Sequence, residues 1–501
     1  MLISILDYLD LAVAIWPDKP AFMDIHEEIT FAELQRKAKT VGSYLHRLTP
    51  PRQPVVVITG KSVTDVAELI GVAYAGCYYV PIDSGLPPNR IKLILDTVKP
   101  KIILSTLENS QTLSSIEFSG NIVFFDEMSE EKIDETSLQN IRRWVCDVDP
   151  LYAVFTSGST GVAKGVLTSH RSVIDYIDSF CDVVKFDEHD VLGGQASLDY
   201  VAAIRDIYIP LKTGASTVLL DKKLFTNPNK LFSELNFYKV TALCWASTAL
   251  SIPVKLNAFL NTELDFVNKV IFTGSVLPSS DLAMWQRHLP KAFFMNQYGP
   301  TEITASCTYY IVDHYVKNDE VLPLGIPYRN TRIYLLSEDG QPVGTGEKGE
   351  ICVAGSCLAL GYLNNFDLTK RVFVENPVNN EYPQIIYRTG DIGSYDERGL
   401  LWFHGRKDSQ IKHMGYRIEL SEIEHATNSI DGVSITACLY DVKNAQIFLF
   451  YEGTASAKEI ASKLRATLPS YMIPRKFVAL EVLPRTQNGK VDLHKLRECF
   501  L

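Results

Sequence analysis

The sequence predicts an α/β fold with a large N-terminal domain of layered sheets and helices. Short β-rich runs, such as VVVIT at 55–59 and KVIFT at 269–273, alternate with stretches of helical periodicity such as 62–76. This alternation is typical of helices layered on mostly parallel sheet. At 405–410 the strand-like LLWFH gives way to the polar turn GRKDSQ, and further helix and strand patterns follow. The change indicates a second, smaller α+β domain at the C-terminal end.

Composition narrows the classes of function. The 501 residues carry a formal net charge of -10, which leaves no basic footprint for nucleic acid and favours small molecules or proteins as partners. Nine cysteines without a CxxC pair predict reduced thiols and a cytoplasmic protein. The N-terminus carries Asp7, Asp10 and Asp18 and has no basic leader, so it predicts an amphipathic helix rather than a signal peptide. No membrane-spanning segment is expected.

A glycine-rich and hydroxyl-rich loop, TSGSTGVAK at 156–164, follows the apolar run LYAVF. Glycines allow the backbone to approach a ligand closely, so N–H groups, the hydroxyls of Ser157, Ser159 and Thr160 and the Lys164 ammonium can face phosphate oxygens. The pattern therefore favours a polyphosphate ligand, ATP. From this loop alone, a flexible Gly/Ser turn remains the alternative.

Further motifs follow the loop in a fixed order. They are NQYGPTE at 296–302, GEICVAG at 349–355, YRTGD at 387–391, GRKDSQIKHMGYRIELSEIE at 405–424 and PRTQNGKVD at 484–492. On these motifs the chain resembles the adenylate-forming (ANL) superfamily. Within it, the chain is similar to the adenylation domains of nonribosomal peptide synthetases and to freestanding D-alanine–carrier-protein ligases. The resemblance begins at TFAEL, 30–34, and YAGCYYVPID, 74–83, and extends to the last lysine motif.

The resemblance implies a domain division and a reaction. Residues 1–405 would form the large ATP- and substrate-binding domain, and residues 406–501 a small mobile domain with its hinge near Asp408. Members of this superfamily activate a carboxylic acid with ATP as an acyl-adenylate and then pass the acyl group to a thiol, as in nonribosomal peptide and related secondary-metabolite biosynthesis. The protein mainly positions the reactants and neutralises charge in such reactions. ATP and Mg²⁺ are the expected cofactors.

The same resemblance assigns the nucleotide site. Lys490 would be the catalytic cation between the substrate carboxylate and the α-phosphate, and Glu302 the Mg²⁺ ligand. Asp391 would accept hydrogen bonds from both ribose hydroxyls, with Arg406 as a second ribose contact. Tyr298 would contact the adenine and Thr301 a phosphate. The residues expected to contact ATP are Thr156, Ser157, Gly158, Ser159, Thr160, Lys164, Gly274, Ser275, Asn296, Tyr298, Gly299, Thr301, Asp391, Arg406 and Lys490.

The resemblance also implies a second orientation of the small domain. After adenylation, KHMGYR at 412–417 would face the site while Lys490 leaves it. Gly415 would admit a phosphopantetheine arm where a side chain would block it. Because no carrier signature follows the lysine motif, the expected acceptor is a separate phosphopantetheinylated carrier protein in trans. Candidates for a basic face toward an acidic carrier, or for an ordinary solvated face, are Lys407, Lys412, His413 and Arg417.

Two other functions stay open at this point. Coenzyme A as the acceptor would make the chain an acyl-CoA synthetase. A catalytically silent nucleotide-binding scaffold on the same fold is the alternative from another class. The presence of Lys164, Glu302, Asp391 and Lys490 argues against the silent scaffold.

The substrate segment 194–214 departs from the family pattern. Alignment on DIYxxLxTG places Val201 where members that activate α-amino acids carry an aspartate for the substrate ammonium. A buried ammonium facing valine would lose its counter-ion, so an ordinary α-amino acid is not expected. Either the acid has no α-amino group, as in an aryl, 2-oxo, hydroxy or aliphatic acid, or its amine lies further away, as in a β-amino acid. Asp199 would meet that amine if it shares a strand face with Val201, and otherwise it is a structural or surface residue.

The remaining pocket positions follow from the same alignment. Arg205 either pairs with a second acid on the substrate or points to solvent, and solvent is the prediction. Cys244 shows no sign of nucleophilic activation, because no histidine stands near it in sequence. The positions do not identify a particular acid. The full pocket set is Asp199, Val201, Ala202, Arg205, Cys244, Ile271, Thr273, Gln297, Ala305 and Ser306.

Overall fold

In the computed structural model of the protein, residues 2–114, 116–128, 131–158, 163–442, 444–485 and 491–501 are described. Within these ranges the strands form sheets of nine, seven, five, three and two strands. The predicted alternation is confirmed, because VVVIT lies in the strand Pro54–Thr59 and KVIFT in Lys269–Thr273. The N-terminal helix is also confirmed, at Leu6–Ile15. Each of the described helices is too short or too polar to traverse a lipid bilayer.

The largest sheet is parallel at its centre. Six neighbouring strands run in one direction, and antiparallel strands flank them on both sides. In spatial order the nine strands are Ile326–Pro327, Thr308–Ile311, Phe293–Tyr298, Lys269–Thr273, Ala242–Ala246, Val191–Gly194, Ser216–Leu219, Pro20–Met23 and Glu28–Thr30. The carboxyl ends of parallel strands meet at one edge of a sheet, which is where ligands bind in open α/β folds.

The seven-stranded sheet carries the glycine-rich loop. Its spatial order is Gly361–Tyr362, Lys164–Ser169, Pro150–Thr156, Tyr78–Asp83, Pro54–Thr59, Ile102–Ser105 and Asn121–Phe124. The loop connects the antiparallel neighbours Pro150–Thr156 and Lys164–Ser169. Both ends of the loop are therefore held by the sheet.

One hydrophobic core joins the two large sheets. It contains Val55 and Tyr79 from the seven-stranded sheet and Ile271 and Met295 from the nine-stranded sheet, each nearly or fully buried. Hydrogen bonding between the hydroxyls of Tyr79 and Tyr208, 2.6 Å apart, adds a polar link inside this core. The shared core makes the two sheets one packed unit on which the site is built.

Helix capping explains one motif of the sequence. In TFAEL, the Thr30 hydroxyl accepts a hydrogen bond from the Glu33 backbone and the Glu33 carboxylate accepts one from the Thr30 backbone, which starts the helix Phe31–Leu45. This capping box satisfies two backbone N–H groups that a helix start otherwise leaves unpaired. The motif therefore has a structural role in this chain. The α-helices of the described residues are Leu6–Ile15, Phe31–Leu45, Val63–Tyr74, Pro88–Val98, Ser110–Leu113, Phe125–Met128, Glu135–Trp144, His170–Val184, Ala203–Thr213, Pro228–Phe237, Ser247–Lys255, Ser279–His288, Phe366–Val372, Leu420–Asn428, Ala457–Arg465 and Leu493–Phe500.

The chain ends in a smaller α+β unit. The strands of the five-stranded sheet, which precedes it, are Thr331–Leu336, Gly349–Gly355, Phe373–Glu375, Ile385–Tyr395 and Leu401–Arg406. The hairpin Gln410–His413 and Tyr416–Glu419 follows, and then come the strands Val433–Asp441, Gln446–Gly453 and Lys476–Ala479. Ile418, Ile423, Leu449 and Ile460 form the centre of a separate hydrophobic core. The predicted boundary at 405–406 falls at the end of the strand Leu401–Arg406.

Candidate functional site

One pocket lies between the hairpin Gln410–His413 and Tyr416–Glu419 and the large domain. It has a volume of about 520 Å³, including the part open to solvent. Residues of the substrate segment 194–214 and residues of the motifs assigned to ATP line the same space. The lining residues are Tyr200, Val201, Ala202, Arg205, Thr273, Gly274, Gly299, Pro300, Thr301, Ala305, Asp391, Arg406, Gln410, Lys412, Gly415 and Arg417.

Three residues assigned to the nucleotide form one connected group. Asp391 is buried, accepts a hydrogen bond from the Tyr298 hydroxyl and forms an ion pair with Arg406. Antiparallel register between Ile385–Tyr395 and Leu401–Arg406 sets Asp391 opposite Arg406. Burial and the neighbouring Asp391 charge raise the pKa of Tyr298 well above its ordinary value, so this phenol remains a donor. Arg406 also donates to both carboxylate oxygens of Asp408, at 2.7 and 2.9 Å, which links the group to the predicted hinge.

Glu302 is fully buried in the turn Thr301–Ile303. Its carboxylate accepts hydrogen bonds from the Tyr362 hydroxyl and from Arg417 Nη1, each at 2.6 Å. Burial raises the pKa of Glu302, but the Arg417 charge and the Tyr362 hydroxyl outweigh it, and the pKa lies below its ordinary value. The carboxylate is therefore ionised at neutral pH.

Glu302 fits the role of a magnesium ligand. No group of three or more His, Cys, Asp or Glu side chains converges anywhere in the described part of the chain. Mg²⁺ is commonly held by one or two carboxylates together with the phosphates of a substrate, rather than by a cage of protein ligands. An ionised carboxylate next to Thr301, which lines the pocket, fits such a shared site. In this structure Arg417 neutralises that carboxylate instead.

The small domain also contacts the glycine-rich loop. The Ser157 hydroxyl donates to the Arg417 carbonyl at 2.6 Å, and the Gly158 N–H donates to Glu422 at 3.0 Å. The Lys164 ammonium lies 3.6 Å from the Glu419 carboxylate. Groups predicted to face phosphate oxygens therefore face small-domain oxygens here. Ser159 and Thr160 lie outside the described residues.

The hairpin face 412–417 is turned toward the site. Lys412 Nζ lies 5.3 Å from the centre of the Tyr298 ring, and the Tyr200 hydroxyl donates to the Gly415 carbonyl at 2.8 Å. Gly415 has φ +85°, and a Cβ built there would lie 3.0 Å from the Ala246 Cβ. Only glycine adopts this conformation and approach without strain. Lys490, the predicted catalytic residue, lies outside the described residues.

The prediction of a basic carrier-facing surface is wrong for three of its four residues. Lys412 and Arg417 line the pocket, and His413 is buried. Lys407 forms an ion pair with Glu350 at 3.4 Å. The charges in KHMGYR are used inside the site, so the motif does not form an outward face.

The acid end of the pocket is apolar around Val201. Val201, Ala202 and Ala305 line it and are nearly fully buried, and Thr273 completes the wall. Burial raises the pKa of the Cys244 thiol to about 12, which agrees with the absence of nucleophilic activation. Further predicted pocket residues are buried without lining this cavity, namely Cys244, Ile271, Gln297 and Ser306.

The expectation that Asp199 and Val201 share one face of a strand is wrong. The strand Val191–Gly194 ends before them, and both residues lie in turns that lead into the helix Ala203–Thr213. Asp199 is not among the residues that line the pocket. Burial and the neighbouring Asp83 raise the pKa of Asp199 to about 6, while Ser197 and Lys222 lower it. Asp199 therefore belongs to a separate polar cluster.

The prediction that Arg205 points to solvent is also wrong. Arg205 is 1% exposed and lines the pocket. Its Nη1 donates to Gln297 Oε1 at 2.7 Å, and Gln297 Nε2 donates in turn to the Tyr328 hydroxyl. A position in the first turn of the helix Ala203–Thr213 turns this long side chain inward. The alignment on DIYxxLxTG, which placed Arg205 among the pocket positions, was the signal that could have found this orientation.

Sequence reasoning missed a buried ion pair at the domain contact. Arg90 Nη1 lies 2.5 Å from Glu422 Oε1, and the other oxygen of Glu422 accepts from the Gly158 N–H. Glu422 lies in the motif GRKDSQIKHMGYRIELSEIE at 405–424, so this motif could have identified Glu422 as a site residue. Arg90 stands in no quoted motif, and only the fold brings it to Glu422. Tyr362, which holds Glu302, was missed for the same reason.

The fold and the site define a two-domain adenylate-forming enzyme. Residues 9–363 match the family of AMP-binding enzymes, and the chain belongs to this family of AMP-forming ligases. It is 30% identical to a D-alanine--D-alanyl carrier protein ligase of Bacillus cytotoxicus, with 96% of both chains covered. It is 32% identical to bacitracin synthase 2 of Bacillus licheniformis, of which it spans only 18%. The structure is similar in fold to the adenylation domain AlmE of Vibrio cholerae in complex with glycyl-adenosine-5'-phosphate, with a TM-score of 0.86, 20% identity and coverage of 100% and 98%.

Proposed function

We propose that the protein activates a small carboxylic acid with ATP and transfers the acyl group to the phosphopantetheine thiol of a separate carrier protein. One observation carries the proposal: a single pocket joins Val201 and Arg205 to Thr301 and Asp391. An acid and a nucleotide bound in one space can react directly, because the attacking carboxylate is held beside the α-phosphate. Similarity over 96% of a D-alanine--D-alanyl carrier protein ligase supports a carrier protein as the acceptor.

In the first half-reaction, a carboxylate oxygen of the acid forms a bond to the α-phosphorus of ATP, and the bond to pyrophosphate breaks. Asp391 and Arg406 hold the ribose, and Tyr298 lies at the adenine. Lys490 would neutralise the charge that builds between the carboxylate and the α-phosphate. Glu302 would hold a Mg²⁺ ion, which would supply further charge neutralisation at the phosphates.

In the second half-reaction, the pantetheine sulfur bonds to the acyl carbon, its proton is lost to solvent and AMP leaves. The observed hairpin orientation suits this step, because Lys412 and Arg417 line the pocket at its nucleotide side. Two cations there stabilise the phosphate of the departing AMP. Exchange between this orientation and one that presents Lys490 requires rotation about a hinge, for which Asp408 is our candidate.

The acid is not an ordinary α-amino acid. Of the residues that line the pocket, Asp391 alone is an aspartate or glutamate, and it is paired with Arg406 on the nucleotide side. Val201 offers no counter-ion to an ammonium group. The position of Asp199 outside the pocket weighs against the β-amino alternative, so we propose an acid without an amine near the carboxylate.

The test is acid-dependent release of pyrophosphate, with the adenylate trapped by hydroxylamine, across α-amino, β-amino, aryl, 2-oxo, hydroxy and aliphatic acids. Transfer is then measured by mass spectrometry with a phosphopantetheinylated carrier protein and, in parallel, with coenzyme A. Adenylation followed by loading of the carrier is the expected result. Loading of coenzyme A alone would identify an acyl-CoA synthetase. Nucleotide binding without adenylation of any acid would identify a silent scaffold.

A further inference from the structure

Arg205 is a buried charge without a counter-ion among the described residues. No aspartate or glutamate described in the structure forms an ion pair with its guanidinium. Its protein contacts are the Gln297 amide oxygen at 2.7 Å and the Ala202 carbonyl, a long contact at 3.4 Å. Both acceptors are neutral. Because arginine stays protonated at any physiological pH, the charge cannot be removed by titration.

Among the described residues, the adjacent acid on the same helix, Asp206, forms no ion pair or hydrogen bond with Arg205. Neighbouring residues on a helix point in different directions. Asp206 faces the strand Val191–Gly194, since a Cβ built on Gly194 would lie 3.3 Å from the Asp206 Cγ. Burial raises the pKa of Asp206 to about 7, an effect that Lys61 and Arg205 partly offset. Lys61, which binds the carbonyls of Gly194 and Gln195, is the cation on that side of the helix.

The guanidinium is held in place toward the pocket. Gln297 donates its amide N–H to the Tyr328 hydroxyl, which leaves the amide oxygen as the acceptor for Arg205. Tyr328 and Gln297 are both buried, so this arrangement is fixed by packing. Arg205 has five N–H donors in a planar fork that matches the two oxygens of a carboxylate. The two protein contacts leave donors free for a ligand in the pocket.

We propose that the missing counter-ion is a second carboxylate on the substrate, and that the protein activates a short dicarboxylic acid without an α-amino group. The inference rests on the proposed function, because it assigns the far end of the same acid pocket. The distal carboxylate binds the Arg205 fork, and the reacting carboxylate faces Thr301 and the nucleotide. Val201 and Ala202 form an apolar wall beside the methylene chain. A short chain fits this arrangement, since Arg205 and Thr301 line the same pocket.

The experiment compares matched acids in the pyrophosphate-release assay. Malonate, succinate, glutarate and adipate are each paired with the monoamide of the same length, which keeps the shape and removes the distal charge. We expect kcat/KM for one dicarboxylate to exceed that of its monoamide by about 10²-fold or more, because the site would leave a buried charge unpaired with the amide. Arg205→Met is expected to lose this preference and to favour the monoamide. Arg332→Met, on an exposed arginine of the five-stranded sheet, is the control and should behave as wild type.

The outcomes separate this inference from the proposed function. Adenylation of neutral acids with no dicarboxylate preference in the wild type would overturn the inference and leave the proposed function intact. If no acid is adenylated, the proposed function fails. The inference is then tested by dicarboxylate binding, measured as a change in Tm. A dicarboxylate that raises Tm of the wild type but not of Arg205→Met supports it, and no shift in either protein overturns it. If Arg205→Met does not fold, Arg205→Lys keeps the charge without the planar fork and should raise KM for the dicarboxylate with little change for the monoamide.

Discussion

Charged side chains have different partners at the two ends of the pocket. At the nucleotide side Asp391 pairs with Arg406 and Glu302 pairs with Arg417, so each acid has a cation within the protein. At the acid end Arg205 lies among neutral partners, with no described carboxylate bonded to it. Paired groups can be held ready before any ligand arrives, whereas a buried unpaired charge gains its partner only on binding. In the function that we propose, the paired groups hold the nucleotide, and Arg205 selects the acid.

Of the variants that test this difference, Lys490→Ala is expected to lose the most adenylation activity. The proposed role of Lys490 is to neutralise charge that develops in the transition state, and removal of one such group costs about 10²–10³-fold in kcat. ATP binding should change little, because the ribose and adenine contacts remain. Pyrophosphate release and equilibrium ATP binding are measured side by side, with Lys495→Ala on the exposed face of the last helix as the control. Adenylation at the wild-type rate in Lys490→Ala would overturn the assigned role.

Asp391→Asn tests the ion pair of Asp391 with Arg406 on the nucleotide side of the pocket. The change keeps the shape and removes one of the two carboxylates that Arg406 binds, while Asp408 remains. Asparagine would lose charged hydrogen bonds to the ribose hydroxyls, each worth about 1.5–3 kcal/mol, so nucleotide binding should weaken by about tenfold to 10²-fold. Isothermal titration with ATP and with AMP measures the effect, and Glu397→Gln at the nearby exposed turn is the control. Unchanged AMP affinity would show that Asp391 does not hold the ribose.

Motifs and geometry contributed different parts of this site. YRTGD and YGPTE led to Asp391 and Glu302 because each role needs a carboxylate at a fixed place in a motif. The partners Tyr362 and Arg90 lie far away in sequence, and only the packing of sheets and helices brings them to Glu302 and Glu422. The fold class was predictable from the alternation of strand and helix patterns, since that periodicity is local.

The orientation of Arg205 was not predictable from a substitution pattern. The hypothesis for Asp199 assumed that the strand continues after Val191–Gly194, because only a strand places residues 199 and 201 on one face. In the structure the segment forms turns and then the helix Ala203–Thr213. Arg205 is buried there, and Asp199 does not line the pocket. Side-chain direction follows from the element type, so the assumed strand misplaced Asp199.

Gly415→Val separates the two half-reactions. The glycine has φ +85° and lies close to Ala246, so a branched side chain would clash and close the approach of the thiol. Adenylation should persist while transfer to the carrier falls by about tenfold or more, since a branched residue at positive φ is also strained. The matched control is Gly399→Val, because Gly399 has φ +74° with no heavy atom within 4 Å of a built Cβ. Equal loss of transfer in both variants would point to backbone strain rather than to a blocked path.

Arg417→Met tests whether the paired cation at Glu302 acts only in the second step. Arg417 faces Glu302 in the observed orientation, and Mg²⁺ would take its place when ATP is bound. Transfer to the carrier should fall by about tenfold, roughly the value of one charged contact to the departing phosphate, while Mg²⁺-dependent adenylation is retained. Single-turnover assays starting from preformed adenylate measure transfer alone, with Arg398→Met, an exposed arginine, as the control. An equal loss in both half-reactions would show that Arg417 also acts during adenylation.

Val201→Asp brings a negative charge to the acid end and so removes the contrast between the two ends. The new carboxylate would lie in the same pocket wall as Arg205 and compete with a substrate carboxylate for that guanidinium. The native acid should then lose about tenfold or more in kcat/KM, and α-amino acids should gain, because their ammonium meets a counter-ion. Val201→Asn, which has the same size without the charge, is the matched control for shape. If both variants lose the native acid equally and neither gains an α-amino acid, size alone governs position 201. If only Val201→Asp changes the preference, charge at the acid end selects the substrate.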